Sequence, residues 1–194
     1  EHTTLAAYHS PRAHSYVAAT TAGLIAAGHC AMNSAGLVLV LHPLSIHGIS
    51  LQGAPVGLCT DAIMRKASSL EQALEIIRGA SLMTPFGFLL LEGDTGRALV
   101  VERSPTKEAL HWFKPDSRVM AYRDLPLSHT FRRDRIETSP SETVATATRQ
   151  ARQHDMLHQF ADRGTPDMKM FADYLSDMNL PNQDAATHEE GPHA

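Results

Sequence analysis

The side chains with most to offer chemically sit in one segment, Gly28-His29-Cys30-Ala31-Met32-Asn33-Ser34-Ala35-Gly36-Leu37, which runs straight into Val38-Leu39-Val40-Leu41. Asn and Gly tolerate the positive φ of a tight turn, so Asn33-Ser34-Ala35-Gly36 reads as the link between two strands. Asn33 is then a polar amide at a strand end in an apolar passage. Two readings stand: a turn former, or a hydrogen-bond donor to a developing oxyanion or to substrate. Cys30 beside His29 has the composition of an activated nucleophile. Strand neighbours point to opposite faces, however, so the two side chains do not meet, and Cys30 reads as a small buried thiol. Cys59 falls inside an expected helix and reads as packing. Among the twelve histidines, His42 and His47 flank Pro43, yet no carboxylate or Cys completes a ligand set at helical or hairpin spacing. No metal site is expected. Arg132, Arg133 and Arg135 read as a solvated helix face, with Arg132 and Arg133 also suited to hold a substrate carboxylate. Met168, Met170 and Met178 read as packing.

The elements that position these residues follow from pattern. Residues 14–20, 22–31 and 36–42 are rich in Val, Ile, Leu and Thr and predict three strands, while residues 1–14 read as polar and irregular. A helix is expected from Pro55 to about Ala67, with Pro in its first turn. Ser68-Ser69-Leu70-Glu71 reads as a capping box opening a second helix, whose Leu70, Ala73, Leu74 and Ile77 share one face and which Gly79 ends. Residues 87–92 and 97–102 flank Gly93-Asp94-Thr95-Gly96 as a hairpin, and their continuous apolar runs predict a sheet covered on both faces. Strands are expected at 109–114 and 118–122, then helices starting near Ser139 and Thr165. Strands, helices, strands, helices in that order predict a layered α+β domain.

The composition sets outer bounds. An apolar fraction of 43%, a charged fraction of 20% and a net charge of -4 describe a folded chain without a nucleic-acid groove. No apolar stretch reaches the roughly 18 residues of a membrane span, and the first residues lack the pattern of a signal peptide. Two cysteines are too few for a stapled secreted scaffold and point to a reducing, cytoplasmic setting. The length fits one domain over 1–184 with a flexible polar tail at 185–194. The start at Glu1 reads as a processed chain or a fragment of a longer precursor.

Taken in order, these residues resemble the penicillin acyltransferase-like linear amide hydrolases of the N-terminal nucleophile superfamily. The similarity runs from Tyr16-Val17-Ala18-Ala19-Thr20 through Met32-Asn33-Ser34-Ala35-Gly36-Leu37, His42-Pro43-Leu44 and Gly53-Ala54-Pro55. It continues in Ser69-Leu70-Glu71-Gln72-Ala73-Leu74, Glu92-Gly93-Asp94-Thr95-Gly96, Glu102-Arg103-Ser104-Pro105, and Ser128 with Arg132, Arg133 and Arg135, covering roughly residues 16–178. The resemblance implies a four-layer αββα sandwich with two mixed sheets, incomplete in this chain. It implies cleavage or transfer of acyl groups at linear amides by an N-terminal Cys exposed through autoproteolysis, with its own α-amino group as base. That base is chemically reasonable, because an α-amino group titrates near pKa ~8, close to a thiol.

Two departures shape the expectation. The chain opens on Glu1, so the nucleophile is expected upstream of it, and pairing with that missing segment or with a second copy is expected. The family's His-x-Asn-His motif is replaced around Met120-Ala121-Tyr122-Arg123, making Tyr122 the candidate oxyanion donor there, while Asn33 matches an Asn lining the family's site. The substrate expected is a small-molecule amide or an acyl-CoA-like donor, with no cofactor. The competing function is a catalytically inactive relative that binds a ligand or a partner.

Overall fold

The computed structural model describes residues 3–21, 29–113, 122 and 126–136, and in the C-terminal part 144, 148, 151, 155–159, 161, 162 and 169. The chain divides into two compact units, Glu1–Ser117 with Tyr122–Ile136, and Arg118–Ala121 with Glu137–Ala194. In the second unit every described residue beyond 136 is helical, within the stretch where helices are predicted. The expected tail at 185–194 and most of the expected strand 118–122 lie outside the described residues.

The first unit is built on a seven-stranded sheet whose spatial order is its chain order. The strands are β1 (Thr3–Tyr8), β2 (Tyr16–Thr21), β3 (Cys30–Asn33), β4 (Leu37–Pro43), β5 (Phe86–Glu92), β6 (Ala98–Arg103) and β7 (Glu108–Phe113). Every neighbouring pair is antiparallel, so the sheet is a meander and not the mixed sheet expected. β1 corrects the expectation of an irregular start. Its Thr-Thr-Leu-Ala-Ala-Tyr sequence has weak alternation, and it becomes a strand by pairing along its whole length with β2.

Between β4 and β5 the chain forms α1 (Val56–Lys66) and α2 (Leu70–Gly79). Pro55 stands at the N-cap of α1, one position earlier than expected. The capping residue of α2 is Ser69, which accepts from Gln72 N, while Gln72 Oε1 accepts from Ser68 N at 2.7 Å. The cap lies one residue later than expected, so the third helical residue is Gln72, which bonds Ser69 through its N–H and Ser68 through its side chain, while Glu71 reaches the Arg97 guanidinium at 2.7 Å.

Both helices cover one face of the sheet. Ile63, Met64, Leu70, Ala73 and Ile77 meet Leu39, Phe88, Leu90, Leu99 and Val101 in a core where all ten are fully buried. The alternate strand residues point to the other face, where Val17 on β2, Met32 on β3 and Leu91 on β5 are 41%, 51% and 38% exposed, while Val100 and Glu102 on β6 stay fully buried. A period-2 pattern with polar residues outward is the usual signature of a one-sided antiparallel sheet; here both sets are largely apolar. The architecture is α+β. Among the described residues it comprises this sheet with one helical layer, and no second sheet lies among them.

Candidate functional site

Asn33, the last residue of β3, is buried with 4% exposure. Its Oδ1 accepts from Ala35 N at 3.1 Å and Leu37 N at 3.0 Å, folding the turn around itself. Gly36 completes that turn at φ 80°, where a Cβ would be strained. The Nδ2 group donates to Met64 O at 3.1 Å and Ala67 O at 2.8 Å, carbonyls at the end of α1 that lack helical partners. Both hydrogens and both lone-pair directions of the amide are thus engaged. The side chain ties the β3–β4 turn to α1, and an oxyanion would have to displace one of these bonds to reach it.

Beside Asn33 a cavity of about 240 Å³ opens at the β1–β2–β3 end of the sheet. Ala7, Val17 and Met32 are successive cross-strand partners and line its apolar side on the face away from the helices. His9, Ser15 and Ser34 lie just past the strand ends and line its polar side, with Ser15 Oγ 3.2 Å from His9 Nδ1. Tyr8 and Tyr16 stack beneath, ring centroids 4.5 Å apart. Tyr16 donates to Asp61 Oδ1 at 2.6 Å, and Arg65 holds the same carboxylate from 2.8 Å. Burial first, and then the Asp61 carboxylate, raise the Tyr16 phenol far above its ordinary pKa, so this hydroxyl stays a donor.

A second polar group sits at the far end of the same open face. Glu102 on β6 is fully buried, and in register with it come Gly87 on β5 and His42 on β4. Its carboxylate accepts from Leu127 N at 2.5 Å, Ser128 N at 3.0 Å and Tyr122 Oη at 3.5 Å, with His111 Nε2 at 3.3 Å. Tyr122 lies across Gly87, its ring edge-on to His42 at 5.5 Å. Only glycine fits beneath it, since a Cβ at position 87 would stand 1.9 Å from the Tyr122 hydroxyl oxygen. Ser128 caps α3 (His129–Arg132), so Glu102 fastens the start of that short helix onto the sheet.

The expected site residues are therefore not gathered in one place. Asn33 adjoins the start of β4 and faces the helices, while Tyr122 adjoins His42 near the other end of β4 and lies on the opposite face. Five residues of strand separate those ends, about 17 Å at the usual rise. Arg133 is exposed, and the Arg132 side chain lies outside the described residues. Cys30 is half-buried on the open face, and the neighbouring His29 imidazole is 2.8 Å from Thr21 Oγ1. Cys59 is buried in α1, where desolvation pushes its thiol up to about 11, away from nucleophile behaviour.

Sequence reading missed Glu102 and the pairing of His9 with Ser15. A signal for Glu102 was present: alternation along Leu99-Val100-Val101-Glu102 puts the carboxylate on the face opposite the core, two residues past a buried Val. His9 and Ser15 meet only because β1 exists, and that strand was not legible. No group of three or more His, Cys, Asp or Glu able to hold a metal ion occurs among the described residues. No helix among them is long and apolar enough to cross a membrane.

Comparison with solved structures gives limited likenesses. A penicillin V acylase from Agrobacterium tumefaciens aligns over 69% of this chain and 39% of its own at 13% identity, TM-score 0.45. A conjugated bile acid hydrolase from Clostridium perfringens aligns in two variants, at 18% and 17% identity, each over 52% of this chain and 36% of its own, with TM-scores of 0.40 and 0.39. The aligned part thus spans well under half of those chains. No curated protein matches. The family model described as acyl-coenzyme A:6-aminopenicillanic acid acyl-transferase matches residues 1–189. The chain belongs to that acyltransferase family.

Proposed function

We propose that this protein cleaves or forms linear amide bonds through a Cys N-terminal nucleophile. The observation carrying this reading is the family match along residues 1–189. Burial pushes the Cys59 thiol up to about 11, which argues against it as the nucleophile; in this reading the nucleophile is a Cys on a segment exposed by autoproteolysis. Its α-amino group takes the thiol proton, and the thiolate attacks the amide carbonyl carbon. The C–N bond then breaks, with the amine leaving as it gains that proton. Water releases the acyl group from the thioester as a carboxylic acid, or a second amine takes it as a new amide. An acyl-CoA-like thioester is the alternative donor.

In this reading the open, apolar sheet face is where the reacting groups assemble, and where the nucleophile-bearing segment or a second copy would pair. Tyr122 is the candidate oxyanion donor; its single hydroxyl proton points to Glu102 and would have to turn from that carboxylate to reach an oxyanion. Asn33 acts from behind, fixing the turn that forms one wall of the cavity. Arg132 and Arg133 are the candidate contacts for a substrate carboxylate. The setting is cytoplasmic, in keeping with two free thiols.

The test is amine release from a panel of acyl-anilides and N-acyl amino acids by the protein expressed from its whole reading frame. Release that stops on thiol alkylation, with a processed N-terminal Cys seen by mass spectrometry, is the expected result. Release indifferent to alkylation would remove the thiol mechanism.

A further inference from the structure

Between β4 and α1 the chain runs through the loop 44–55. From Leu37 to Thr60 the sequence holds no Asp, Glu, Lys or Arg. Three large apolar side chains of that run nevertheless stand in solvent: Ile49 is 74% exposed, Leu51 90%, and Leu58, in the first turn of α1, 61%. Turns ordinarily place small or polar residues outward, and apolar side chains gathered at the surface mark an interaction site. Here the backbone fixes the display. Gly53 N donates to Ser50 O at 3.0 Å and closes a turn with Leu51 and Gln52 at its corners. Ser50 N donates to Met83 O at 2.8 Å, Ala54 N to Ser81 O at 2.7 Å, and Met83 N to Ala54 O at 3.0 Å, which fastens the turn to residues 81–83 ahead of β5. A tip held this way loses little freedom when a partner covers it.

The base of the loop carries groups of a different kind. Ile46 bridges to Arg135, His47 N donates to Asp134 O at 2.6 Å, and Ile136 N donates to Ser45 O at 3.0 Å. This pairing sets the exposed Arg133, with Arg135, alongside the loop, and Lys107 joins them through its ion pair with Asp134. Residues 133–135 with Lys107 thus bring three cations and one carboxylate to the base, in a chain whose net charge is -4. An apolar tip above a basic base complements negative headgroups lying over hydrocarbon. An acidic protein surface would answer the cations and leave Ile49 and Leu51 unmatched.

We infer that residues 49–58 anchor the protein on the surface of an anionic phospholipid bilayer. Ile49, Leu51 and Leu58 enter the boundary between headgroups and acyl chains, and Lys107, Arg133 and Arg135 face the lipid phosphates. The contact is interfacial, not a span, and it is independent of the amide chemistry.

The experiment is sedimentation of the full chain with vesicles of mixed phosphatidylglycerol and phosphatidylcholine, and with vesicles of phosphatidylcholine alone. Saturable binding to the mixed vesicles, weakened by added salt, and little binding to phosphatidylcholine alone are expected. Leu51→Ser is expected to weaken binding at least about fivefold. Its melting temperature should stay unchanged, because the side chain is 90% exposed. Leu5→Ser, at a residue 78% exposed on β1, should bind as the parent does. Arg133→Gln is expected to weaken binding to the mixed vesicles about fivefold. With the single native Trp removed as Trp112→Phe, the emission of Leu51→Trp should shift to the blue on mixing with anionic vesicles. Absence of binding to the mixed vesicles overturns the anchor. So does an equal loss in Leu51→Ser and Leu5→Ser, or a bound protein whose Leu51→Trp emission does not move. Self-association without lipid that Leu51→Ser abolishes would assign the loop to a second copy, and overturns it as well.

Discussion

The two faces of the sheet carry similar residues and meet different fates. On the helix side, Leu39, Leu90 and Leu99 have no exposure at all; on the other side Val17, Met32 and Leu91 keep 41%, 51% and 38%. Alternation along one strand sends neighbours to each face, so the same β4 run, Leu37-Val38-Leu39-Val40-Leu41, is buried at odd positions and only half-buried at even ones. The contrast holds at β2, β3 and the end of β5; on β6 both faces are covered, with Val100 and Glu102 fully buried on the side away from α1 and α2. Each face has its cover pinned by a buried carboxylate at a helix start: Glu92 accepts from Leu70 N at the head of α2, and Glu102 from Leu127 N and Ser128 N ahead of α3.

The sharpest way to break this comparison is to truncate one side chain from each face. Leu90→Ala opens a hole beneath α1 and α2 and is expected to cost about 3–5 kcal/mol in urea unfolding. Met32→Ala removes a half-exposed side chain and is expected to cost under about 1 kcal/mol. Equal losses would mean that both faces are stability surfaces.

Asn33→Ala comes next. The alanine leaves Met64 O, Ala67 O and the Leu37 N–H without the partners they have now. Losing several buried bonds at once is expected to cost roughly 2–4 kcal/mol. The informative readout is the split between stability and catalysis. A residue that works by holding the turn loses melting temperature first, and activity recovers on cooling. A direct oxyanion donor loses kcat while the fold stays intact.

Most of the helical layer was legible in the sequence. Leu70, Ala73, Leu74 and Ile77 recur at helical spacing, Ser69 caps them, and apolar strands on either side give the sheet. Less legible was anything that depends on long-range pairing. β1 carries too few β-branched or alternating residues to announce itself, and it exists through β2. Asn33 was visible as a polar residue in an apolar run, but the carbonyls it binds lie 31 and 34 residues away in α1. Local pattern could not choose between a free and a fully bonded amide there. Tyr122 depends in the same way on a glycine far earlier in the chain, and no residue-by-residue property links positions 87 and 122.

That last pair gives a test of the covered end of the open face. Gly87→Ala places a methyl 1.9 Å from the Tyr122 oxygen, and is expected to cost about 2–3 kcal/mol by overpacking. Tyr122→Phe in the same chain shortens the obstacle and is expected to restore part of the loss, a coupling that independent sites would not show. Additive losses would place Tyr122 away from Gly87.

The smallest effect is the acid response of Glu92 and its neighbour Glu71 on the helix side. The Thr95 hydroxyl, and next the Arg97 guanidinium, hold Glu92 below the ordinary carboxylate pKa, and Arg97 does the same to Glu71. A carboxyl whose folded value lies below its unfolded value, about 4.3, binds protons less readily when folded. Its contribution is therefore fully present above that unfolded value and is lost as pH falls through the lower, folded one. Stability measured from pH 6 downward is expected to hold until roughly pH 4–5 and then decline slightly as Glu71 and Glu92 take up protons. Arg97→Met lifts both carboxylates toward their ordinary range and should flatten that part of the decline. The same substitution leaves the Glu102 contacts on the open face untouched, so Tyr122 and Ser128 should keep their wild-type amide-exchange protection. An Arg97→Met protein that lost protection at Ser128 would show that the two faces are coupled through the sheet, and that the division of labour between them is less complete than their exposures imply.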